Sequence, residues 1–178
     1  MRAWVPTICL SAALLGPSSA APASAGHVLP FYHVRSAERP VVELLRRGYA
    51  RSATFRALVE AVEDTDVIVY VQPTMCLPPP ARAWVQFAGV AGRFRFLRVS
   101  FLGRTGADGL SALIGHELQH VLEVGRAAEV RSTTAFEAFF RAAGRESVNG
   151  FETETARLVG LRIEDELQRA AGEDTTGR

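Results

Sequence analysis

Apolar positions along the chain recur with a helical period in some stretches and a strand period in others, and their order sets the expected fold. Between residues 41 and 63, Leu44, Leu45, Phe55, Leu58, Val59 and Val62 stand among arginines and glutamates. This predicts an amphipathic helical region broken near Gly48. Val67-Ile68-Val69-Tyr70-Val71 is a β-branched run that reads as a buried strand, and Pro73 with Pro78-Pro79-Pro80 then imposes a turn or extended loop. Residues 83–87 and 94–101 read as two further strands. The second sets Phe94, Phe96 and Val99 against Arg93, Arg95 and Arg98, and the glycines of residues 89–92 suit a hairpin turn.

A glycine-containing loop, 103–109, leads into Leu110, Leu113, Ile114, Leu118, Val121 and Leu122 at helical spacing, with Asp108 placed to cap the helix and Gly125 to stop it. Residues 133–143 predict another helix, with Phe136, Phe139 and Phe140 on its core side, and a last helix is expected from about 151 to 171. Residues 26–40, holding Pro30 and Pro40, read as an extended lead-in. The order helix, strand, hairpin, helix, further helices is that of an α+β domain.

The helix after the glycine loop carries the chemistry. Its centre reads His116-Glu117-Leu118-Gln119-His120, an HExxH motif, and two of the four histidines of the chain fall in it. Residues four apart project from one face of an α-helix, so His116 and His120 can grip a single ion. Glu117 lies beside them, placed to take a proton from water, as in zinc-dependent peptide hydrolysis. The plainer reading is a half-buried helix whose histidines hydrogen-bond to neighbours, in an interaction domain without metal.

The motif resembles the active-site helix of the zincin metallopeptidases, and the order of elements around it is similar to that of small secreted bacterial proteins of this kind. The resemblance implies a zincin-like single domain, with a small, mostly antiparallel sheet packed on the HExxH helix and further helices. It also implies that an edge strand lines the substrate cleft. The segment 94–101, directly before the motif helix, is the candidate for that strand, and an exposed edge would accept a peptide by strand pairing.

Composition is that of one ordinary globular domain. The 178 residues are 48% hydrophobic and 22% charged, enough for one core. A formal charge of +1 and the lack of a dense basic patch exclude a general nucleic-acid binder. All 20 basic residues are arginine, a usage that suggests a GC-rich bacterial genome.

The N-terminal residues 1–25 read as a signal peptide. Arg2 precedes an apolar run, 3–15, too short to span a bilayer, and Ala23-Ser24-Ala25 offers a cleavage site. The expected mature domain is 26–178, exported to the periplasm or the cell exterior, with no integral membrane segment. Cleavage removes Cys9 and leaves Cys76, so no internal disulfide is expected.

Catalytic zinc usually takes three protein ligands and leaves one position for water. His27 and His33 lie in the lead-in, and no histidine follows the motif closely, which disfavours the metzincin pattern. Projected as a helix, Glu152 shares a face with Ala156, Val159, Ile163, Leu167 and Ala170, where a carboxylate is costly unless paired or metal-bound. Gluzincins supply their third ligand as a glutamate on a later helix, and Glu152 resembles that residue, although Ala156 stands where an acid often follows. Ala156 and Gly160 also leave room for a neighbouring helix. The competing candidates are Glu123, which could reach the metal or brace a histidine, Glu129, and Cys76. A cysteine ligand would resemble the peptide deformylases, whose glycine-rich glutamine motif is missing here.

These residues imply a hydrolase that binds Zn2+ through His116, His120 and Glu152, uses Glu117 as general base and acts on a peptide or protein substrate. Tyr49, Tyr70 and Arg157 are candidates to stabilise the oxyanion. The alternatives are an exported, zinc-stabilised binding domain without catalysis, and a deformylase-like amide hydrolase with Cys76 as ligand.

Overall fold

The computed structural model describes residues 30–143, 145–147 and 150–176. The expected signal peptide, 1–25, and His27 lie outside these residues. β1 is Val34–Arg35, α1 Arg39–Arg51, α2 Ala53–Glu63, β2 Val67–Thr74, β3 Ala83–Ala91 and β4 Phe94–Leu102. They are followed by α3 Ala107–Arg126, α4 Thr133–Ala143, β5 Arg145–Ser147, β6 Gly150–Glu152 and α5 Glu154–Thr176. The result is a small mixed α+β domain.

α1 and α2 are the helical region expected over 41–63, but the break falls at Ser52 rather than Gly48. The Ser52 hydroxyl accepts the Phe55 N–H at 2.9 Å and so caps α2. Gly48 remains helical, and its role is spatial: a Cβ there would stand 3.0 Å from the Phe55 ring, so glycine lets α2 fold back closely on α1. β1, two residues long, lies in the expected lead-in and is too short to carry a periodic signal.

The main sheet runs β1-β2-β4-β3, parallel between β1 and β2 and between β2 and β4, antiparallel between β3 and β4. It is therefore mixed, and the expectation of a mostly antiparallel sheet is corrected. After β2 the chain crosses to the far side, so that β3 pairs outside β4 and leaves β4 between its two neighbours. Ala91 and Phe94 face each other across a turn at Gly92, whose positive φ of 56° favours glycine. Gly89 instead sits at a register shift within β3.

Alternation along the strands places one face on the helices. Val67, Val69, Val71, Leu97, Val99 and Phe101 are buried, while Tyr70 and Trp84 are exposed on the other face. Only the start of β4 reverses its expected faces, because Arg95 points inward at 1% exposure, while Val99 is buried and Arg98 exposed as expected. Its guanidinium pairs with Asp66 and donates to the carbonyls of Val124, Ala127 and Gly125 at 2.8, 2.6 and 2.9 Å. Buried charge is tolerable when every donor is satisfied. Here it also ties the C-terminal end of α3 to the sheet and complements the negative end of the helix dipole.

α3 packs on β2, β3 and β4 on one side and on α1, α2 and α5 on the other. Its start is Gly106, not Asp108; Asp108 lies in the first turn and pairs with Arg47 at 2.6 Å. α3 also runs through Gly125, where a Cβ would come within 2.7 Å of Thr65. Gly125 is therefore a point of close contact and not a helix stop. α4 matches its expected span and buries Phe136 and Phe140. Among the described residues no helix is long and apolar enough to cross a membrane.

Candidate metal centre

His116 and His120 leave α3 on one face, with ring centroids 5.1 Å apart. Glu152 comes to meet them, but not from a helix. It is the last residue of β6, in a short β5–β6 hairpin that the helical projection over 151–171 did not anticipate. The next residue, Thr153, accepts the Ala156 N–H on its hydroxyl at 3.2 Å and so caps α5. A Thr followed by an acid in the first helical turn, here Glu154, is the sequence signal that marked this boundary.

The Nε2 atoms of both histidines face the Glu152 carboxylate, His116 at 3.4 Å from Oε2 and His120 at 3.8 Å from Oε1. One donor atom from each of the three residues lies within 4.8 Å of the others. Glu152 Oε1 is buried and has no hydrogen-bond partner. A carboxylate that faces two imidazole nitrogens and keeps one buried oxygen without a hydrogen-bond partner is costly in isolation and fits a cation. Two imidazoles and a carboxylate form a donor set suited to zinc.

Each imidazole is fixed from behind. His116 is hydrogen-bonded by the backbone of Ala156, and it lies against Gly160, where a Cβ would stand 3.2 Å from its own. Ala156 is fully buried, so the small residues of α5 do admit α3 closely. His120 Nδ1 lies 3.0 Å from Glu123 Oε2. Glu123 therefore braces a histidine and does not join the cluster. Its other oxygen accepts the Thr153 hydroxyl at 2.8 Å and the Gln119 amide at 3.3 Å. The edge of Phe140 packs on the His120 ring, with centroids 5.2 Å apart.

The electrostatics separate the two histidines. Burial, helped by the charge on His120, drives the His116 pKa down to about 4, which leaves it neutral and ready to donate a lone pair. Burial acts against the charge on His120 as well, but the hydrogen bond to Glu123 and the nearby carboxylates outweigh it and raise the pKa. Burial raises Glu152, partly countered by His120. Glu117, at 6% exposure, is pushed up to about 7 by burial; His120 lowers it and Glu152 raises it.

A cleft of about 680 Å³ opens on this cluster. His116, Glu117, His120 and Glu152 line its floor, with Val85, Phe87, Leu113, Phe136 and Phe140 as apolar walls. The strand beside the cleft is β3, at one edge of the sheet; the expectation for 94–101 is corrected, since β4 is enclosed by β2 and β3. Tyr49, Tyr70 and Arg157 do not line the cleft and are engaged with Glu60, Arg35 and Glu154 respectively. Arg82, Gln86, Thr133, Glu137 and Arg141 also line the cleft, and nothing in the linear sequence singled them out as site residues. Cys76 and Glu129 are exposed and outside the cluster, and His33 packs edge-on against Phe94.

No family model matches this chain, and neither a curated protein nor a solved structure does. The chemistry of the site is read from its own geometry.

Proposed function

We propose that this protein is an exported, zincin-like zinc metallopeptidase that hydrolyses peptide bonds. The observation that carries the reading is the meeting of two imidazole Nε2 atoms with the two oxygens of the Glu152 carboxylate, one of them buried and without a hydrogen-bond partner, at the floor of an open cleft. His116, His120 and Glu152 would hold the ion. Zinc at such a site supplies Lewis-acid polarisation of a carbonyl and makes water nucleophilic near neutral pH. Three donors among the described residues leave room for water and substrate, whereas a purely structural zinc site is closed by four.

Glu117 does the proton work. Its buried carboxylate accepts the proton of the attacking water and returns it to the departing amine nitrogen. A base with a pKa lifted from the ordinary carboxylate range is better matched to neutral conditions than an exposed glutamate. The free edge of β3 offers backbone groups to an extended peptide, and the aromatic wall of the cleft favours a large apolar side chain.

The test is zinc content and turnover together. The purified protein should hold near-stoichiometric zinc and cleave members of a fluorogenic peptide library. Glu117→Gln should keep the zinc and lose at least ~10²-fold in turnover, the usual scale of a general base. Absence of zinc even after reconstitution would overturn the metal site, and full activity of the Gln variant would overturn the role of Glu117.

A further inference from the structure

We infer that Thr153 is a positioning residue for the metal centre, its one hydroxyl locking Glu123 against His120 while fixing the start of α5 beside Glu152. A threonine hydroxyl has one proton to give and lone pairs to accept. Here the proton goes to Glu123 Oε1 at 2.8 Å, and a lone pair takes the Ala156 N–H at 3.2 Å. Both capacities are used, by partners on different helices, at a residue only 9% exposed.

The consequences run in two directions. Towards α3, Glu123 is held with Oε2 3.0 Å from His120 Nδ1. An ionised carboxylate only accepts, so the imidazole proton sits on Nδ1 and the Nε2 lone pair is left facing Glu152. Towards α5, the cap fixes the backbone of Thr153, and Glu152 is the preceding residue. The side chain that orients one histidine and the backbone that delivers the third donor therefore depend on the same oxygen. Bracing partners of metal-binding histidines commonly change metal affinity ten- to a hundredfold when removed. Thr153 would act one bond further out, through Glu123.

This inference rests on the metal reading of the cluster, and the experiment separates the two. Zinc affinity of the full chain is measured by competition with a chromophoric chelator, and the visible spectrum of the cobalt-loaded protein reports the symmetry of the site. Thr153→Val, which keeps the shape and removes the hydroxyl, should weaken zinc binding roughly 10-fold or more and shift the cobalt bands. Thr153→Ser should restore both to near the parent values. In a Glu123→Ala background, Thr153→Val should cost clearly less than in the parent, because only the effect of the α5 cap on Glu152 remains to be lost.

Thermal unfolding in chelator shows whether each variant is folded and isolates the loss of the helix cap, which a merely structural role would also produce. Unchanged zinc affinity and cobalt spectrum in Thr153→Val would overturn the inference. So would losses that simply multiply in the double variant. A parent chain that binds no zinc would instead overturn the metal reading itself.

Discussion

Burial sets the behaviour of Glu117 before any substrate arrives. The carboxyl is 6% exposed, and loss of water raises its pKa from the ordinary carboxylate value to about 7, against the pull of His120. An acid whose pKa is higher in the folded state binds its proton more tightly there. Stability then falls as pH rises from the unfolded value, 4.5, through about 7. Metal-free Glu117→Gln, which has no charge to desolvate, should therefore be more stable than the parent at pH ~8 by on the order of 3 kcal/mol, and nearly equal to it at pH ~4. Urea denaturation of chelator-treated protein at the two pH values checks this. A gap of the same size at both would show that ionisation of Glu117 is not what strains the fold. Added zinc should narrow the gap at high pH, since a neighbouring cation lowers the cost of the carboxylate.

At the scale of elements, the contact between α3 and α5 depends on what is missing from Gly160. A Cβ there would lie 3.2 Å from His116 Cβ and 3.4 Å from its Nδ1, on a ring already fixed by the Ala156 backbone. Alanine is the better helix former by about 1 kcal/mol. Gly160→Ala should thus leave the stability of the metal-free protein nearly unchanged, the gain in helix propensity offset by pressure on His116, while weakening zinc binding several-fold. Chelator competition beside thermal unfolding distinguishes this outcome from simple destabilisation, which would lower both together.

The same elements show what a linear reading can reach. The helical period of α3 was legible, and with it the shared face of His116 and His120. Glu152 was singled out by a helical projection that is wrong for its backbone, and the structure still brings it to the histidines, because the Thr153 cap ends β6 at that point. The inward turn of Arg95 was illegible: alternation alone places an arginine outside. Only the distant partners Asp66, Val124 and Ala127 make the buried position affordable in free energy. Pairing of β2 with β4 over the intervening β3 is likewise decided by contacts far apart in sequence, so local pattern gave the strands and not their neighbours.

The molecule as a whole is closed by a part-buried acid that ties together elements far apart in sequence. Glu166 of α5 accepts the Ser52 hydroxyl at 2.6 Å, the Thr54 N–H at 2.9 Å and the Thr54 hydroxyl at 2.7 Å, at the junction of α1 and α2. Burial opposes its charge, but these bonds, aided by Arg162, prevail and draw the pKa down to about 2. A depressed pKa gives stability that is complete above the unfolded value of 4.5 and disappears as pH falls towards 2. Asp66 and Asp108, each held low by arginine partners against burial, are lost in the same direction, so acid sensitivity of the parent alone would not identify Glu166. The difference between the parent and Glu166→Gln does. Urea midpoints should differ most at pH ~6 to 7, draw together below pH ~4.5 and converge only near pH ~2, because protonation makes the parent resemble the variant. A difference that persists undiminished at pH ~3 would mean that shape, and not charge, docks α5 on the first two helices. Zinc affinity should stay within a few-fold of the parent in Glu166→Gln, since the junction at Ser52 and Thr54 shares no hydrogen bond with His116, His120 or Glu152.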